Sequence, residues 1–325
     1  MNKEKEALRI VFMGTPDFAV ASLEAILKAG YPVVGVITAP DKPAGRGKKL
    51  TPSPVKKDAL SKGLEILQPP RLKDPQFLEQ LKALQADLQV VVAFRMLPEV
   101  VWNMPPMGTI NLHASLLPQY RGAAPIHHAV MNGEKETGLT TFLLQKEIDT
   151  GNILLQRKLS IGPDETVGEL HDRMMEAGAE LLVETIEGLR KNEIRPISQD
   201  ELIRPGMELK PAPKIKKEDC RIDWNNDGET LHNFIRGLSP FPGAFSFLKS
   251  PEGKTYQVKI YRASFEKNPE QMHPGTILTD GKTFLKVAVV GGFVRLLEWQ
   301  LPGKKRMDTE TLLRGFSVDD RWRFE

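Results

Sequence analysis

Asn111 and His113 are the residues whose types and spacing are best suited to chemistry. They stand two positions apart at the end of the apolar run Thr109–His113, and in a strand that spacing directs both side chains to one face. A carboxamide can donate a hydrogen bond to a developing oxyanion, and an imidazole can donate or shuttle a proton. The pair is therefore suited to acyl transfer.

Asp149 lies in a later polar turn, residues 146–151, and is the natural third member of such a site. A carboxylate close to His113 would favour the charged form of the imidazole. The alternative is structural: Asn111 and His113 end a strand, and Asp149 makes an ordinary Asx turn. Spacing alone favours this second interpretation.

The elements that would position these residues follow an alternating pattern. Apolar runs at residues 8–13, 33–38, 88–93 and 109–113 predict buried strands, and helical patterns lie between them. This alternation predicts an α/β fold with a doubly wound, mostly parallel, Rossmann-like sheet. Two further strands at residues 140–144 and 153–159 are joined by the turn that carries Asp149, and we expect them at the sheet edge.

The first strand leads into the turn Gly14-Thr15-Pro16-Asp17. It holds one glycine where a dinucleotide fingerprint needs three, and the phosphate-binding loop of ATPases is missing from the sequence. We therefore expect neither NAD nor ATP. Ligands of such folds bind at the carboxyl ends of the strands, where Asn111 and His113 also lie.

The sequence changes character after residue 192. Residues 195–217 are rich in proline and lysine, which predicts an extended linker, and short apolar runs separated by turn residues follow. Such runs predict a small β-barrel. We divide the chain into a catalytic domain (1–194), a linker (195–213) and a C-terminal OB-like barrel (214–325).

Composition limits the class of protein. The 325 residues are 40% hydrophobic and 27% charged, which is typical of a soluble globular protein, and no apolar run approaches the roughly 20 residues that span a membrane. Cys220 is the only cysteine, which fits a reducing compartment, so we expect a cytoplasmic protein. The six histidines lack the spacing of a metal site, and we expect no metal.

Charge is distributed unevenly although the net charge is only +3. Residues 42–57 include six basic residues and no acidic one, in a loop rich in proline and glycine. On charge alone, a solvated loop and a site for a polyanion are about equally supported.

The segment around Asn111 and His113 closely resembles the folate-dependent formyltransferases. The two residues are followed by Ser115-Leu-Leu-Pro118 and by Tyr120-Arg-Gly-Ala-Ala-Pro125, and Asp149-Thr150-Gly151 matches a third family element. The resemblance implies the formyltransferase variant of the Rossmann-like fold, with 10-formyltetrahydrofolate as the formyl donor. It also implies catalytic roles for Asn111, His113 and Asp149. The residues expected against the folate are Ser115, Leu116, Leu117 and Pro118.

Residues 13–19 and 40–50 are similar to the members of this family that formylate methionyl-tRNA. The resemblance implies initiator methionyl-tRNA as the partner and a C-terminal barrel related to OB-folds. In the family the basic loop contacts the tRNA acceptor end, and Arg46 occupies its key arginine position. The residues expected to contact tRNA are Lys42, Arg46, Lys48, Lys49, Lys214 and Lys216. Because a tRNA must approach both domains, we expect a monomer.

Some interpretations stay open. Phe94-Arg95-Met96 departs from the family pattern near the folate pocket, and we expect Arg95 to be solvated instead of reaching the folate. The aromatic residues Trp224, Phe241 and Phe245 suit core packing, with base stacking as the alternative. Rival functions are formylation of a nucleotide-sugar amine or glycinamide ribotide, hydrolysis of formyl-folate, and non-catalytic tRNA binding.

Overall fold

Short strands and helices alternate through the first half of the computed structural model, which describes residues 8–44, 49–269 and 272–325. The strands are β1 (Ile10–Gly14), β2 (Val33–Ile37), β3 (Lys42–Ala44), β4 (Lys49–Thr51), β5 (Ile66–Leu67), β6 (Leu88–Val92), β7 (Thr109–His113), β8 (Arg121–Gly122), β9 (Glu136–Leu143), β10 (Ile153–Ser160), β11 (Pro211–Ala212), β12 (Ala244–Lys249), β13 (Thr255–Lys267), β14 (Ile277–Thr279), β15 (Leu285–Val289), β16 (Gly292–Gln300), β17 (Met307–Asp308) and β18 (Arg323–Phe324). The α-helices are α1 (Asp17–Lys28), α2 (Pro54–Ser61), α3 (Pro75–Ala83), α4 (Glu99–Trp102), α5 (Pro125–Met131), α6 (Val167–Arg190), α7 (Gly228–Gly237) and α8 (Thr309–Gly315). Two 3-10 helices cover Gln199–Leu202 and Glu218–Cys220.

The chain forms two compact units. The first consists of the described residues up to Gly122 together with Thr137–Leu159 and His171–Pro211. The second consists of Ala123–Glu136, Ser160–Leu170 and Ala212–Glu325. The domain boundaries at residues 194 and 213 stay a prediction.

The first unit contains a seven-stranded sheet in the order β10-β9-β7-β6-β1-β2-β5. β1 pairs in parallel with β2 and β6, β2 with β5, and β6 with β7, whereas β9 runs antiparallel to β7 at the edge. The chain builds outward from β1 to β5, then returns to β6 on the other side of β1. This order confirms the predicted doubly wound, mostly parallel sheet and puts its switch point between β1 and β6.

Gly14 shows why the first turn needs a glycine. A Cβ on this residue would lie 2.6 Å from the Cβ of Ala19 and 3.0 Å from the carbonyl oxygen of Val92. Only a residue without a side chain lets α1 begin so close to the ends of β1 and β6. The helix ends at Lys28, so it runs from the carboxyl edge of the sheet toward the opposite edge.

The second unit contains the predicted β-barrel. Its sheet has the order β14-β15-β16-β13-β12-β18, with β17 paired to β16. The two ends of this order meet, because Thr276 bridges Arg323 and the amide of Phe324 donates to the carbonyl oxygen of Gly275 at 2.9 Å. The fully buried Trp299 lies in its core. The nearly closed antiparallel sheet confirms the OB-like architecture.

The basic loop differs from its prediction as an irregular segment. β3 and β4 form an antiparallel hairpin in which Lys42 pairs with Thr51 and Ala44 with Lys49. The residues of these two strands do not alternate between apolar and polar, so hydrophobic periodicity does not predict the hairpin. Across the described ranges, no helix combines the length and apolar character needed to cross a membrane.

Tyr31 couples the end of α1 to the long helix α6. Its hydroxyl donates to the carboxylate of Glu187, and burial, reinforced by this hydrogen bond, raises the pKa of Tyr31 to about 12. An unfolded tyrosine ionises near pH ~10. Because the folded pKa is the higher one, the stabilisation is complete below the unfolded pKa and is lost as the pH rises toward the folded pKa.

We therefore expect the free energy of unfolding of the wild type to fall more steeply than that of Tyr31→Phe between pH ~10 and ~12, since phenylalanine carries no ionising group. Urea denaturation of both proteins at several alkaline pH values measures this difference. Parallel pH dependences for the two proteins would contradict it.

Candidate active site

His113, at the carboxyl end of β7, is held between two oxygen atoms. Its Nε2 lies 2.9 Å from the carbonyl oxygen of Tyr120, and its Nδ1 lies 3.9 Å from Oδ2 of Asp149. A carbonyl oxygen only accepts, so Nε2 carries a proton. The distance to Asp149 exceeds that of a hydrogen bond, so Nδ1 faces the carboxylate across a gap.

Asp149 reaches the site from the turn between β9 and β10. Its Oδ2 accepts a hydrogen bond of 2.9 Å from the backbone N–H of Gly122, 27 residues earlier in the chain. Its backbone is in the left-handed region, with φ of 55°. The carboxylate therefore serves a tertiary contact, and the expectation of an ordinary Asx turn is wrong.

Asn111 lies on β7 opposite Phe142 of β9 and Val91 of β6. Its side chain is half-buried, and the carboxamide makes no hydrogen bond to any residue that the structure describes. The amide therefore keeps its donors and its acceptor for a ligand. The imidazole of His113, two positions on, packs edge-to-face against Phe142 with ring centroids 6.5 Å apart.

These three side chains can together stabilise an oxyanion and hold or move a proton. The carboxamide supplies a neutral donor, the imidazole a proton, and the carboxylate a balancing negative charge. Within the described residues, no group of three or more His, Cys, Asp or Glu side chains is arranged to hold a metal ion.

The loop after His113 has its polar groups satisfied inside the protein. Ser115 Oγ donates to the carbonyl oxygen of Gln119 at 2.6 Å. Thr140 Oγ1 donates to the carbonyl oxygen of Ser115 at 2.7 Å and accepts from the amide of Leu117 at 3.1 Å. Gln156 Nε2 donates to the carbonyl oxygen of Leu117 at 2.8 Å. These bonds fix the shape of the loop.

The four residues expected against the folate thus differ in accessibility. Ser115, Leu117 and Pro118 are buried, and Leu116 is half-buried. Leu116 packs against Gly138, where a Cβ would lie 2.5 Å from Cδ2 of the leucine. Of these four residues, Leu116 is therefore the one that stays partly accessible.

The residues expected to contact tRNA occur in both units. In the first unit, Lys42 and Lys49 are exposed on the β3–β4 hairpin, and in the second unit Lys214 and Lys216 are exposed. Arg46 and Lys48 lie outside the described residues.

The base of the hairpin is anchored by a polar cluster. Asp41 accepts a hydrogen bond of 2.7 Å from Lys56 and one of 2.8 Å from Gln68. These bonds, that of Lys56 foremost, lower the pKa of the Asp41 carboxyl. One cation of the basic run is therefore already paired within the protein.

Arg95 is half-buried, and its guanidinium is bonded within the protein instead of being freely solvated as expected. Its guanidinium donates to the carbonyl oxygens of Pro69 and Pro70 and lies 5.4 Å from the ring centroid of Phe94. Burial lowers the pKa of this guanidinium. The carbonyl acceptors belong to a loop 25 positions away, and no local pattern predicts that contact.

The three aromatic residues Trp224, Phe241 and Phe245 of the C-terminal part differ in burial. Trp224 and Phe245 are buried in the barrel core, as predicted for core packing. Phe241 instead is 78% exposed, so the prediction of core packing is wrong for this residue. It stands between Pro240 and Pro242, which favour turns over strands and keep its side chain out of the sheet.

Sequence reasoning missed three groups that shape the site. The carbonyl of Tyr120 and the amide of Gly122 lie in the segment that carries the family resemblance, and backbone groups leave no mark in a sequence. Tyr120 adopts a φ of 59°, a conformation that bulky residues rarely take and that a tyrosine does not signal. Gln199, from the predicted linker, is buried beside Asp149, and a lone glutamine carries no signal at all.

Sequence comparisons agree with this geometry. The family described as Formyl transferase matches residues 8–186, and the family described as Formyl transferase, C-terminal domain, matches residues 214–317. The chain is 55% identical over 320 residues to a methionyl-tRNA formyltransferase of Bacteroides thetaiotaomicron, covering 98% of this chain and 99% of the relative. It is 57% identical over 316 residues to one of Parabacteroides distasonis, covering 96% and 97%.

Solved structures share the fold at lower identity. An N-formyltransferase from Helicobacter canadensis, crystallised with folinic acid and dTDP-3-aminofucose, has 19% identity and a TM-score of 0.63, covering 89% of this chain and 98% of that chain. HypX from Aquifex aeolicus, in complex with tetrahydrofolic acid, has 19% identity and a TM-score of 0.60, covering 96% and 48%. These likenesses concern the fold alone.

The turn that carries Asp149 depends on Gly151. A Cβ there would lie 1.6 Å from the carbonyl oxygen of Leu143, so the backbone must shift to accept an alanine. We expect Gly151→Ala to lower the free energy of unfolding by about 1–3 kcal/mol, the range for an overpacked site. Urea denaturation measures the change, with Gly315→Ala as the control because a Cβ at Gly315 meets nothing within 4 Å. Equal stability of the two variants would contradict the prediction.

Proposed function

This chain belongs to the formyl transferase family, and we propose that it transfers the formyl group of 10-formyltetrahydrofolate to the free amino group of initiator methionyl-tRNA. The product would be N-formylmethionyl-tRNA for translation initiation. The match to methionyl-tRNA formyltransferases over nearly the whole chain supports the choice of acceptor.

The observation that carries the proposal is the approach of His113 Nδ1 to the Asp149 carboxylate at 3.9 Å, with Asn111 two positions before His113 on β7. An unbonded carboxamide stands two residues from an imidazole whose other nitrogen faces a fixed carboxylate. Such a set suits a reaction in which a formyl oxygen gains negative charge and protons must be redistributed. It supplies both functions without a covalent intermediate on the protein.

The reaction forms a bond between the amino nitrogen and the formyl carbon and breaks the bond between that carbon and N10 of the folate. The amine loses one proton and N10 gains one, so the charges balance. Asn111 donates a hydrogen bond to the oxygen of the formyl group as it becomes an oxyanion. Removing one such donor from other enzymes costs roughly 10²–10³ in turnover.

His113 and Asp149 have different roles in the proton transfer. Nε2 of His113 is bonded to the carbonyl oxygen of Tyr120, so Nδ1 is the nitrogen that stays available for a moving proton. Across the 3.9 Å gap Nδ1 makes no hydrogen bond to Asp149, so it can exchange a proton with the oxyanion or a water. Asp149 stabilises positive charge that develops on the ring when a proton is taken up, and Cys220, buried in the barrel core, takes no part.

The folate would lie against the Ser115–Pro118 loop, in which Leu116 is the partly accessible side chain. Because Thr140 and Gln156 already satisfy the polar groups of this loop, it offers a rigid, water-excluding surface to a flat heterocycle. Donors for the polar edge of the heterocycle must therefore come from other segments.

The tRNA is bound mainly through its phosphates. The exposed cations Lys42, Lys49, Lys214 and Lys216 suit this role, and the predicted contacts of Arg46 and Lys48 belong to the same proposal. The exposed ring of Phe241 suits stacking on an unpaired base. We further propose a monomer in the cytoplasm, where its acceptor is made.

The direct test is transfer from labelled 10-formyltetrahydrofolate to charged initiator methionyl-tRNA, with free methionine, glycinamide ribotide and a nucleotide-linked amino sugar in parallel. We expect label on the charged tRNA alone. Label on a small amine, or formate release without tRNA, would overturn the proposed acceptor. Intact tRNA binding without turnover of any acceptor would favour the non-catalytic alternative.

In the same assay, Asn111→Ala, His113→Ala and Asp149→Ala should each reduce turnover by about 10²–10⁴, because each removes an oxyanion donor or a proton-handling group. His273→Ala, an exposed histidine of the second unit, is the control and should retain wild-type turnover. Near-normal turnover of any of the three variants would remove that residue from its assigned role.

Binding of tRNA should weaken steeply with salt, because phosphate contacts release counterions. Lys42→Ala and Lys49→Ala should each reduce the slope of log affinity against log salt by about one. Lys28→Ala is the matched control, since this exposed lysine ends α1 at the opposite edge of the sheet. A flat salt response, or equal effects of all three variants, would contradict the proposed contacts.

A further inference from the structure

We propose that Gln199 is a positioning residue, which holds the turn of Asp149 in the geometry that catalysis requires. The inference rests on the proposed function, since Asp149 acts there on His113. Gln199 touches neither His113 nor the Asp149 carboxylate in the structure, so it acts through the backbone of the turn.

Gln199 is buried although it comes from a segment predicted to be a linker. It is 1% exposed and begins the 3-10 helix Gln199–Leu202, whose start is capped by the side chain of Ser198. Ile197, two residues before Gln199, exchanges two backbone hydrogen bonds of 2.8 and 2.9 Å with Ile153 of β10. These contacts bring the carboxamide to a fixed place beside the Asp149 turn.

The carboxamide uses both its donating and its accepting capacity. Nε2 donates to the carbonyl oxygens of Asp149 and Gly151, each at 2.8 Å. Oε1 accepts from Nε of Arg121 at 3.0 Å and from Nη2 at 2.7 Å. Among uncharged side chains, only a primary carboxamide combines two donors with a two-lone-pair acceptor in this way.

The contacts form a closed ring around Asp149. Arg121 bonds Gln199, and its neighbour Gly122 donates to the Asp149 carboxylate at 2.9 Å. Gln199 in turn bonds the carbonyl of Asp149 itself. The carboxylate of Asp149 is therefore bonded directly to β8, and its carbonyl is linked to β8 through Gln199. These contacts fix Asp149 in its left-handed conformation.

The hydrogen bonds from Gln199 to this turn are important because Asp149 and His113 are not hydrogen-bonded to each other. Their 3.9 Å separation is set by the scaffold, and nothing at the pair itself restores it when the turn moves. A misplacement of about 1 Å in an active site can reduce turnover about 10²-fold. Loss of the hydrogen bonds from Gln199 should therefore lower kcat and leave substrate binding largely intact.

The experiment compares Gln199→Met, which removes all four hydrogen bonds, with Gln199→Glu, which keeps an acceptor for Arg121 but loses the two donors. We expect both to lower kcat at least about tenfold, with KM for either substrate changed less than about threefold. Gln89→Met is the matched control: Gln89 is also 1% exposed but bonds Thr109 at the far end of β7. Thermal unfolding of each variant checks that it is folded.

A double-mutant cycle with Asp149→Gly separates positioning from a general structural role. Glycine adopts the left-handed conformation without strain and leaves no carboxylate to position. In that background, Gln199→Met should change kcat less than about threefold, because its effect passes through the missing side chain.

The inference would be overturned by wild-type kcat in folded Gln199→Met, by wild-type kcat in Gln199→Glu, or by an equal loss in both backgrounds of the cycle. An equal loss of kcat in the Gln89→Met control would do the same. A wild type that does not formylate methionyl-tRNA would contradict the proposed function instead. The cycle would then be run with the acceptor that the wild type does use.

Discussion

The hydrogen bond from the Gly122 amide to the Asp149 carboxylate joins two loops into one site. One loop follows the last parallel strand, β7, and the other joins the two edge strands, β9 and β10. Without this bond, no hydrogen bond among the described residues would fix the aspartate side chain near His113, because the two residues are too far apart for a hydrogen bond of their own. The charge arrangement of the site therefore depends on a backbone donor.

The surroundings of the site follow the same rule: polar side chains fix backbone segments while the reacting groups stay available. Thr140 and Gln156 satisfy the loop that starts at Ser115, and Gln199 satisfies the turn of Asp149. Leaving a buried backbone group unsatisfied costs about 1–3 kcal/mol, so these bonds hold one loop conformation against its alternatives. The carboxamide of Asn111 is not hydrogen-bonded by any described residue, which is compatible with its proposed role.

Features suited to RNA occur in both units, each in a form that its own scaffold supports. The first unit carries exposed lysines on a hairpin whose base is anchored by Asp41, Lys56 and Gln68. The second unit carries exposed lysines ahead of a barrel and an exposed Phe241 between two prolines. Rigid presentation lowers the entropy lost when a flexible polyanion binds.

The sequence by itself determined the repeating and local features. Alternating apolar runs predicted the parallel sheet, the strand at Thr109–His113 and the barrel, because a strand or helix reveals its buried face through its own period. The two-residue spacing of Asn111 and His113 put both on one face, and the family resemblance added Asp149. Only the tertiary structure decided that the Tyr120 carbonyl contacts His113 and that the Gly122 amide contacts Asp149. It alone also decided that Gln199 is buried and that Arg95 bonds two proline carbonyls. These contacts join segments whose side chains share no period, so only the folded chain brings a donor to its acceptor.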